Sequence, residues 1–361
     1  MELKNSFGKT FSGKKVFVTG HTGFKGSWLT LWLETIGADV KGYSLKPDQT
    51  SLFNRISKDL KCRSVFGDIN DQKKLENEIV KFQPDFIFHL AAQSLVRRSY
   101  RLPLYTFQTN ILGTANLLQS LTKLKKKCTA IIVTTDKVYE NKEWIYPYRE
   151  IDRLGGHDPY SSSKACAEIV TASFVNSFFP QHKFNIHKKS VSTVRAGNVI
   201  GGGDYSEDRL IPDIVKAIIK NKTVVIRNPD SVRPWQYVLE PLSGYLLLAS
   251  LMSKDPLKYS GAYNFGPGDE AELNVRSIVD IAVKTFGKGN YTISRNKNEP
   301  HEAKTLRLDI SKSRELLRWQ PALSTSEAIQ RTIGWYKNSV ARNVDAFRLC
   351  LNEISEFEKK R

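Results

Sequence analysis

The chain has 361 residues, 40% hydrophobic and 25% charged, with 55 Lys and Arg against 37 Asp and Glu and a formal net charge of +18. That apolar fraction excludes intrinsic disorder and suffices for one large or two medium domains. The charge predicts attraction to anions and leaves nucleic acid, an anionic membrane and a phosphorylated small molecule all open.

Met1–Lys15 is polar and lysine-bearing, with no stretch of the signal-peptide kind. The most apolar run, Leu242–Met252, is too short to span a bilayer. Cys62, Cys128, Cys166 and Cys350 lie far apart, and neither they nor the six histidines show metal-ligand spacing. The expectation is a cytoplasmic, metal-free protein with free thiols.

Lys15–Val18 reads as a short valine-bearing strand ending on Thr19-Gly20. Phe24–Ile36 follows as a helix, with Phe24, Trp28, Leu31, Trp32 and Ile36 on a helical period and Gly37 as its stop. Further strands are predicted at Asp39–Leu45, Arg63–Phe66, Phe86–Leu90, Ala130–Val133 and Val191–Val194. Helices are predicted at Asp71–Phe82, Pro103–Leu124 and Tyr160–Phe179. This alternation, opening on a glycine-rich turn, is the pattern of an α/β, doubly wound parallel Rossmann-type sheet.

Beyond about residue 196 the pattern changes, with Gly201-Gly202-Gly203 and several prolines breaking regularity. Helices are predicted at Arg209–Lys220, Val238–Met252, Val275–Phe286 and Thr325–Lys337, the last opened by a capping box of Ser324 and Glu327. The expected organisation is a dinucleotide-binding domain over 12–195 that carries the catalytic residues. A smaller substrate lobe over 196–345 caps the sheet's C-terminal edge, with chain exchange between the two.

Three constellations carry chemistry. In Thr19-Gly20-His21-Thr22-Gly23-Phe24-Lys25-Gly26, Gly20 permits the turn, Gly23 admits a pyrophosphate, and Gly26 lets the helix pack on the sheet. The second strand ends Gly42-Tyr43-Ser44-Leu45-Lys46 with no acid until Asp48, so NAD and NADP both stay open; Asp68, after the third strand, can serve the adenine edge. Tyr160 and Lys164, one turn apart on one helix face, form a base able to deprotonate an alcohol; the ammonium is expected to lower the phenol's pKa. Thr135-Asp136-Lys137 places a hydroxyl, an acid and a base where the fifth strand ends.

Gly20–Gly26, His89-Leu90-Ala91-Ala92-Gln93, Thr135-Asp136-Lys137-Val138-Tyr139 and Tyr160–Lys164 together resemble an extended short-chain dehydrogenase/reductase. More narrowly, several stretches resemble the CDP-glucose branch of the nucleotide-sugar 4,6-dehydratases. These are Gly20–Leu29, Lys137 with Tyr139-Glu140-Asn141, Leu154–Tyr160, Gly197–Asp204 and Arg233–Gln236. The resemblance spans about residues 12 to 340.

It implies an NAD-dependent, redox-neutral hydro-lyase that turns CDP-glucose into CDP-4-keto-6-deoxyglucose. Tyr160 with Lys164 would take the C4 hydroxyl proton, Lys137 the C5 proton, and Asp136 would protonate the leaving C6 hydroxyl, with Thr135 beside them. The dTDP-sugar branch has glutamate where Lys137 stands. The cofactor would meet Gly20, His21, Thr22, Gly23, Phe24, Lys25, Gly26, Asp68, Ile69, Leu90, Ala91, Ala92, Thr109, Tyr160 and Lys164. The sugar nucleotide would meet Gln93, Ser94, Asn198, Arg209, Leu210, Arg227, Arg233, Gln236 and His301. The helices at Pro103–Leu124 and Tyr160–Phe179 resemble those that form an intersubunit four-helix bundle, which implies a homodimer.

Two other functions fit part of the pattern. A 4-epimerase would use the same Tyr160 and Lys164 but needs no acid–base pair after Thr135. A non-catalytic nucleic-acid binder would use the charge, but the basic residues are scattered rather than striped, so no nucleic-acid partner and no membrane association are expected.

Overall fold

In the computed structural model the described residues are 7–226, 228–268, 273–294, 305–340 and 344–361. Eleven strands are formed among them: β1 (Lys15–Thr19), β2 (Asp39–Ser44), β3 (Arg63–Phe66), β4 (Phe86–His89), β5 (Cys128–Val133), β6 (Lys189–Ala196), β7 (Asn198–Ile200), β8 (Val224–Ile226), β9 (Trp235–Tyr237), β10 (Ala262–Phe265) and β11 (Tyr291–Ile293). Seven make one parallel sheet in the order β10-β6-β5-β4-β1-β2-β3, and β8 with β11 and β7 with β9 make two small parallel pairs.

The central strands are buried on both faces, which is why they read as apolar runs rather than alternations. Successive side chains still part to opposite faces. Val16, Val18, Phe86, Phe88, Ile131 and Val133 enter one core, with Trp28, Leu242, Ile329 and Phe357 from the helices covering it. Phe17, Ile87, Ala130 and Ile132 enter the other, with Leu75, Ile79, Leu117 and Leu121.

The predicted strands and helices of the first half are all present, most with ends moved by a residue or two. Pro103–Leu124, expected as one helix, is Pro103–Phe107 and Gly113–Thr122 joined by a π-helical turn over Gln108–Leu112. Such wide turns re-aim side chains. Here Asn110 Oδ1 accepts the Gln93 amide at 2.8 Å and its Nδ2 donates to Ser163 Oγ at 2.8 Å.

Two features lie outside the predicted elements. β10 returns from beyond residue 196 to pair with β6, in register Ala262↔Thr193 through Phe265↔Ala196. Four residues give no period to read. Glu358–Arg361, which reads as a charged tail, ends a helix over Ala346–Lys360 that buries Cys350, Ile354 and Phe357. Trp32 Nε1 donates to Glu358 Oε1 at 2.7 Å, and the Arg361 guanidinium lies over the Phe7 ring. The capping box of Ser324 and Glu327 is formed. Among the described residues no helix is long and apolar enough to cross a membrane, and no group of three or more His, Cys, Asp or Glu is placed to hold a metal ion.

Candidate active site

The turn after β1 is dictated by close approach. Gly20 has φ +74°, its amide donates to Tyr43 O at 2.9 Å, and a Cβ on it would stand 2.7 Å from Ala91 N. A Cβ on Gly26 would stand 2.0 Å from Gly20 O. Gly23 caps the helix Phe24–Thr35 without a side chain, so the first-turn amides stay open to a ligand. A Gly26→Ala exchange must pry the helix from the turn. Calorimetry is expected to show NAD binding weakened more than about tenfold while far-UV dichroism stays native.

His21 is turned out of this cradle. Its ring packs against Gly42 and edge-on to Phe53, and Nε2 shares a hydrogen bond with Ser64 Oγ at 3.0 Å. Burial lowers its pKa to about 4, so it is neutral, and only its backbone faces a ligand. Thr22 donates to Leu45 O at 3.1 Å and ties the turn to the end of β2. Beneath it, Thr19 Oγ1 and His89 Nδ1 stand 2.7 Å apart, and the Ala91 amide donates to Thr19 at 3.2 Å.

Gly20, Thr22–Gly26, Lys46, Asp68, Ile69, Leu90, Ala91, Ala92 and Thr109 line one arm of a cleft of about 1510 Å³. Asp68 Oδ1 accepts from the Asn70 backbone and side-chain amides, which fixes its carboxylate at the cleft. Thr109 Oγ1 is buried at the cleft with no hydrogen-bond partner among the described residues, which leaves it open to a bound ligand. The glycine cradle and this orphaned hydroxyl fit a dinucleotide.

The candidate catalytic residues Thr135, Asp136, Lys137, Tyr160 and Lys164 line the same cleft. Asp158 caps the helix Pro159–Phe178, accepting from Ser161 N at 3.0 Å, and so sets Tyr160 and Lys164 on its first turns. Lys164 Nζ donates to Val133 O at 3.0 Å. Burial first, then the Lys25 charge, lower the Lys164 pKa to about 7, against the pull of Glu168. Lys25 itself is lowered to about 8 by burial and by Arg209. Thr135 Oγ1 donates to Asp136 Oδ1 at 2.9 Å. Lys137 Nζ pairs with the same oxygen at 3.2 Å and reaches Asn198 Oδ1 at 3.5 Å.

The expected lowering of the Tyr160 pKa is overturned. Burial pushes the phenol up to about 12, and a hydrogen bond shared with Thr135 and the Arg209 charge only partly oppose it. The cause is loss of water around a phenolate, which outweighs the positive charge nearby.

The second arm is lined by Ser94, Asn198, Arg209, Leu210 and Arg233, among others. Arg209 is held by Asp204 at 2.8 Å. Two expected substrate contacts do not face the cleft. The Gln93 side chain is buried and occupied, donating to Thr106 Oγ1 at 3.0 Å and accepting from Leu95 N at 2.8 Å. Gln236 is buried and donates to Phe265 O at 3.0 Å, which joins β9 to β10. The Gln93 amide is thus satisfied inside the fold, whereas Gln236 Oε1 is buried without a partner among the described residues. Arg227 and His301 lie outside the described residues. Sequence reasoning passed over Glu168 and Arg195, though Glu168 stands four residues after Lys164 and Arg195 is a cation in an apolar strand.

Comparisons with known proteins agree with this geometry. A family model described as GDP-mannose 4,6 dehydratase matches residues 17–332. A CDP-glucose 4,6-dehydratase of Salmonella typhimurium is 46% identical over 96% of this chain and 97% of its own length. A dTDP-D-glucose 4,6-dehydratase of Dictyostelium discoideum is 27% identical over 94% of this chain and 86% of its own. Among solved structures, DesIV, a dTDP-glucose 4,6-dehydratase from Streptomyces venezuelae with NAD bound, has a TM-score of 0.74 at 24% identity, covering 90% of this chain and 97% of that one.

Proposed function

The chain belongs to the GDP-mannose 4,6 dehydratase family, and from that premise we propose that it is an NAD-dependent CDP-glucose 4,6-dehydratase. The observation that carries the reading is the Asp136–Lys137 pair set beside Tyr160 and Lys164, in a chain 46% identical to a CDP-glucose 4,6-dehydratase. An epimerase needs the second pair but not the first. The cradle at Gly20–Gly26 and the hydroxyl of Thr109 support NAD, the cofactor bound in DesIV. When bound, NAD supplies a reversible two-electron acceptor at C4 of the sugar.

The residues then divide the proton work. Tyr160, as the phenolate, receives the C4 hydroxyl proton as the carbon is oxidised. The Arg209 charge and the hydrogen bond with Thr135 favour that form against burial, and the Lys164 ammonium one turn on adds positive charge beside it. The new ketone acidifies C5. Lys137, deprotonated, takes the C5 proton while Asp136, protonated, gives its proton to the departing C6 hydroxyl, which leaves as water. The ion pair at 3.2 Å holds the same number of protons as that working pair, differing only in which partner carries the shared one. One transfer across the contact therefore rearms both groups. C5 then regains a proton from solvent by way of this pair, while Tyr160 releases to solvent the proton it took from C4. The hydride that left C4 for bound NAD returns to C6. Arg209 and Arg233 line the arm where a pyrophosphate would lie.

Incubation with NAD and CDP-, dTDP-, GDP- or UDP-glucose tests the reading. The 4-keto sugar is expected from CDP-glucose at least about tenfold faster than from the others, a discrimination that base contacts readily supply. Faster turnover of another nucleotide sugar, or a 4-epimer as product, would overturn it.

The same reading includes a homodimer. Leu104, Leu112, Ile169 and Phe178 are all more than half exposed on the helical segments at 103–122 and 159–178, an apolar set that a second copy would cover. Light scattering at micromolar concentration is expected to give twice the chain mass, and Leu104→Glu with Ile169→Glu to give a monomer.

A further inference from the structure

Behind the reacting groups lies a buried ion pair that the proton work above does not use. Arg195 on β6 and Glu168 on the helix Pro159–Phe178 have side chains only 4% exposed. Arg195 Nε and Nη2 donate to the two carboxylate oxygens, each at 2.9 Å. Replacing such a pair by apolar side chains of similar volume is often neutral or stabilising, so stability gives no reason for it. Its contacts do.

The pair grips the catalytic turn at both ends. Thr134 Oγ1 donates to Glu168 Oε1 at 2.5 Å. Five residues on, Arg195 Nη1 donates to the Tyr139 hydroxyl at 2.8 Å, and the guanidinium lies 4.9 Å from that ring's centre. Thr135, Asp136 and Lys137 are strung between these two anchors. The Tyr139 hydroxyl also donates to Asn264 Oδ1 at 2.7 Å, on β10, so the strand returning from the second half is tied into the same lattice. Arg195 Nη1 also donates to Glu150 O at 3.1 Å, and Glu150 Oε1 accepts the Asn264 amide at 2.8 Å. Glu168 stands one turn beyond Lys164, on the same helix face.

We propose that the Glu168–Arg195 pair is a positioning unit that fixes the 135–137 turn against Lys164 and helps hold the Lys164 ammonium charged. The charged or titratable groups facing Lys164 are Lys25 from the glycine turn, His89 from β4, and Tyr160 and Glu168 one turn either side of it on its own helix. Burial and Lys25 lower its pKa, Glu168 alone raises it, and His89 is held neutral by burial, which lowers its pKa to about 3. Removing the Glu168 charge therefore drives Lys164 toward its neutral form at lower pH. The inference rests on the dehydratase reading of the site.

Three variants test it on CDP-glucose: Glu168→Gln, Arg195→Lys, and the apolar double Glu168→Leu with Arg195→Met. The double is expected to melt at or above the wild-type temperature while kcat falls on the order of 10²-fold with KM within about threefold, as misplacement of catalytic groups requires. In Glu168→Gln the alkaline limb of the kcat–pH profile should move to lower pH. Arg195→Lys keeps the charge but cannot span Glu168 and Tyr139, and should lose kcat without moving that limb. Wild-type kcat with an unmoved limb in the folded variants would overturn the proposal, as would losses that only track the folded fraction. If the wild type itself makes no 4-keto sugar, the dehydratase reading fails; wild-type turnover with unaffected variants sinks the positioning role alone.

Discussion

Replacing Lys137 by methionine will lower turnover of CDP-glucose by about 10²- to 10⁴-fold, the usual weight of one general base. The side chain keeps its length and apolar stem, so the loss isolates the amine. Asp136 stays held by the Thr135 hydroxyl at 2.9 Å, and Tyr160 and Lys164 lie on a separate helix, so oxidation at C4 should proceed. What disappears is exchange at C5. In a single turnover in heavy water the wild type places deuterium at C5, and the variant should not. Wild-type C5 exchange in Lys137→Met would mean that another group moves that proton and that Lys137 only positions the sugar. Asp136→Asn offers the complement: C5 exchange persists, while loss of water stalls for want of a proton donor.

Lys164→Met should lose activity by a comparable factor and gain stability, with the gain set by pH. The folded-state pKa is about 7 against an ordinary value of 10.5. Between these values the unfolded chain holds a proton that the folded chain does not, so raising pH through this window stabilises the wild-type fold. Below about 7 the full cost of burying the ammonium is present, on the order of a few kcal/mol, offset in part by the bond to Val133 O. Methionine removes that cost. Urea melts at pH 6.5 and 9.5 should show a larger gain at the lower pH. Equal or reduced stability at both would contradict it. Such a trade marks a residue kept for chemistry at the expense of the fold.

The legible part of the site is the part written over short spans. The turn Gly20–Gly26, the pair Tyr160 and Lys164, and Thr135-Asp136-Lys137 each sit within one strand end or one helical turn, where local geometry decides what meets what. His21 belongs to that turn, and Gln93 and Gln236 to the stretches His89–Gln93 and Arg233–Gln236, yet all three side chains point away from the cleft. A motif places a backbone; which side of it a polar side chain takes depends on the partners that tertiary packing offers. The Gln93 side chain finds Thr106 on the helix Pro103–Phe107, and its backbone amide finds Asn110 on the π-helical turn that follows. Glu168 and Arg195 were silent for the same reason. They are 27 residues apart in the chain, and nothing local says that β6 passes the helix Pro159–Phe178 there.

By itself the amino-acid sequence determined the parallel α/β order, the glycine turn and the short-range placement of Tyr160 with Lys164 and of Thr135 with Asp136 and Lys137, because periodicity and short-range spacing act over a few residues. The tertiary structure alone decided their electrical state. Burial holds Tyr160 up near 12 and Lys164 down near 7, the reverse of an exposed phenol–ammonium pair, because desolvation depends on what the rest of the chain packs around them.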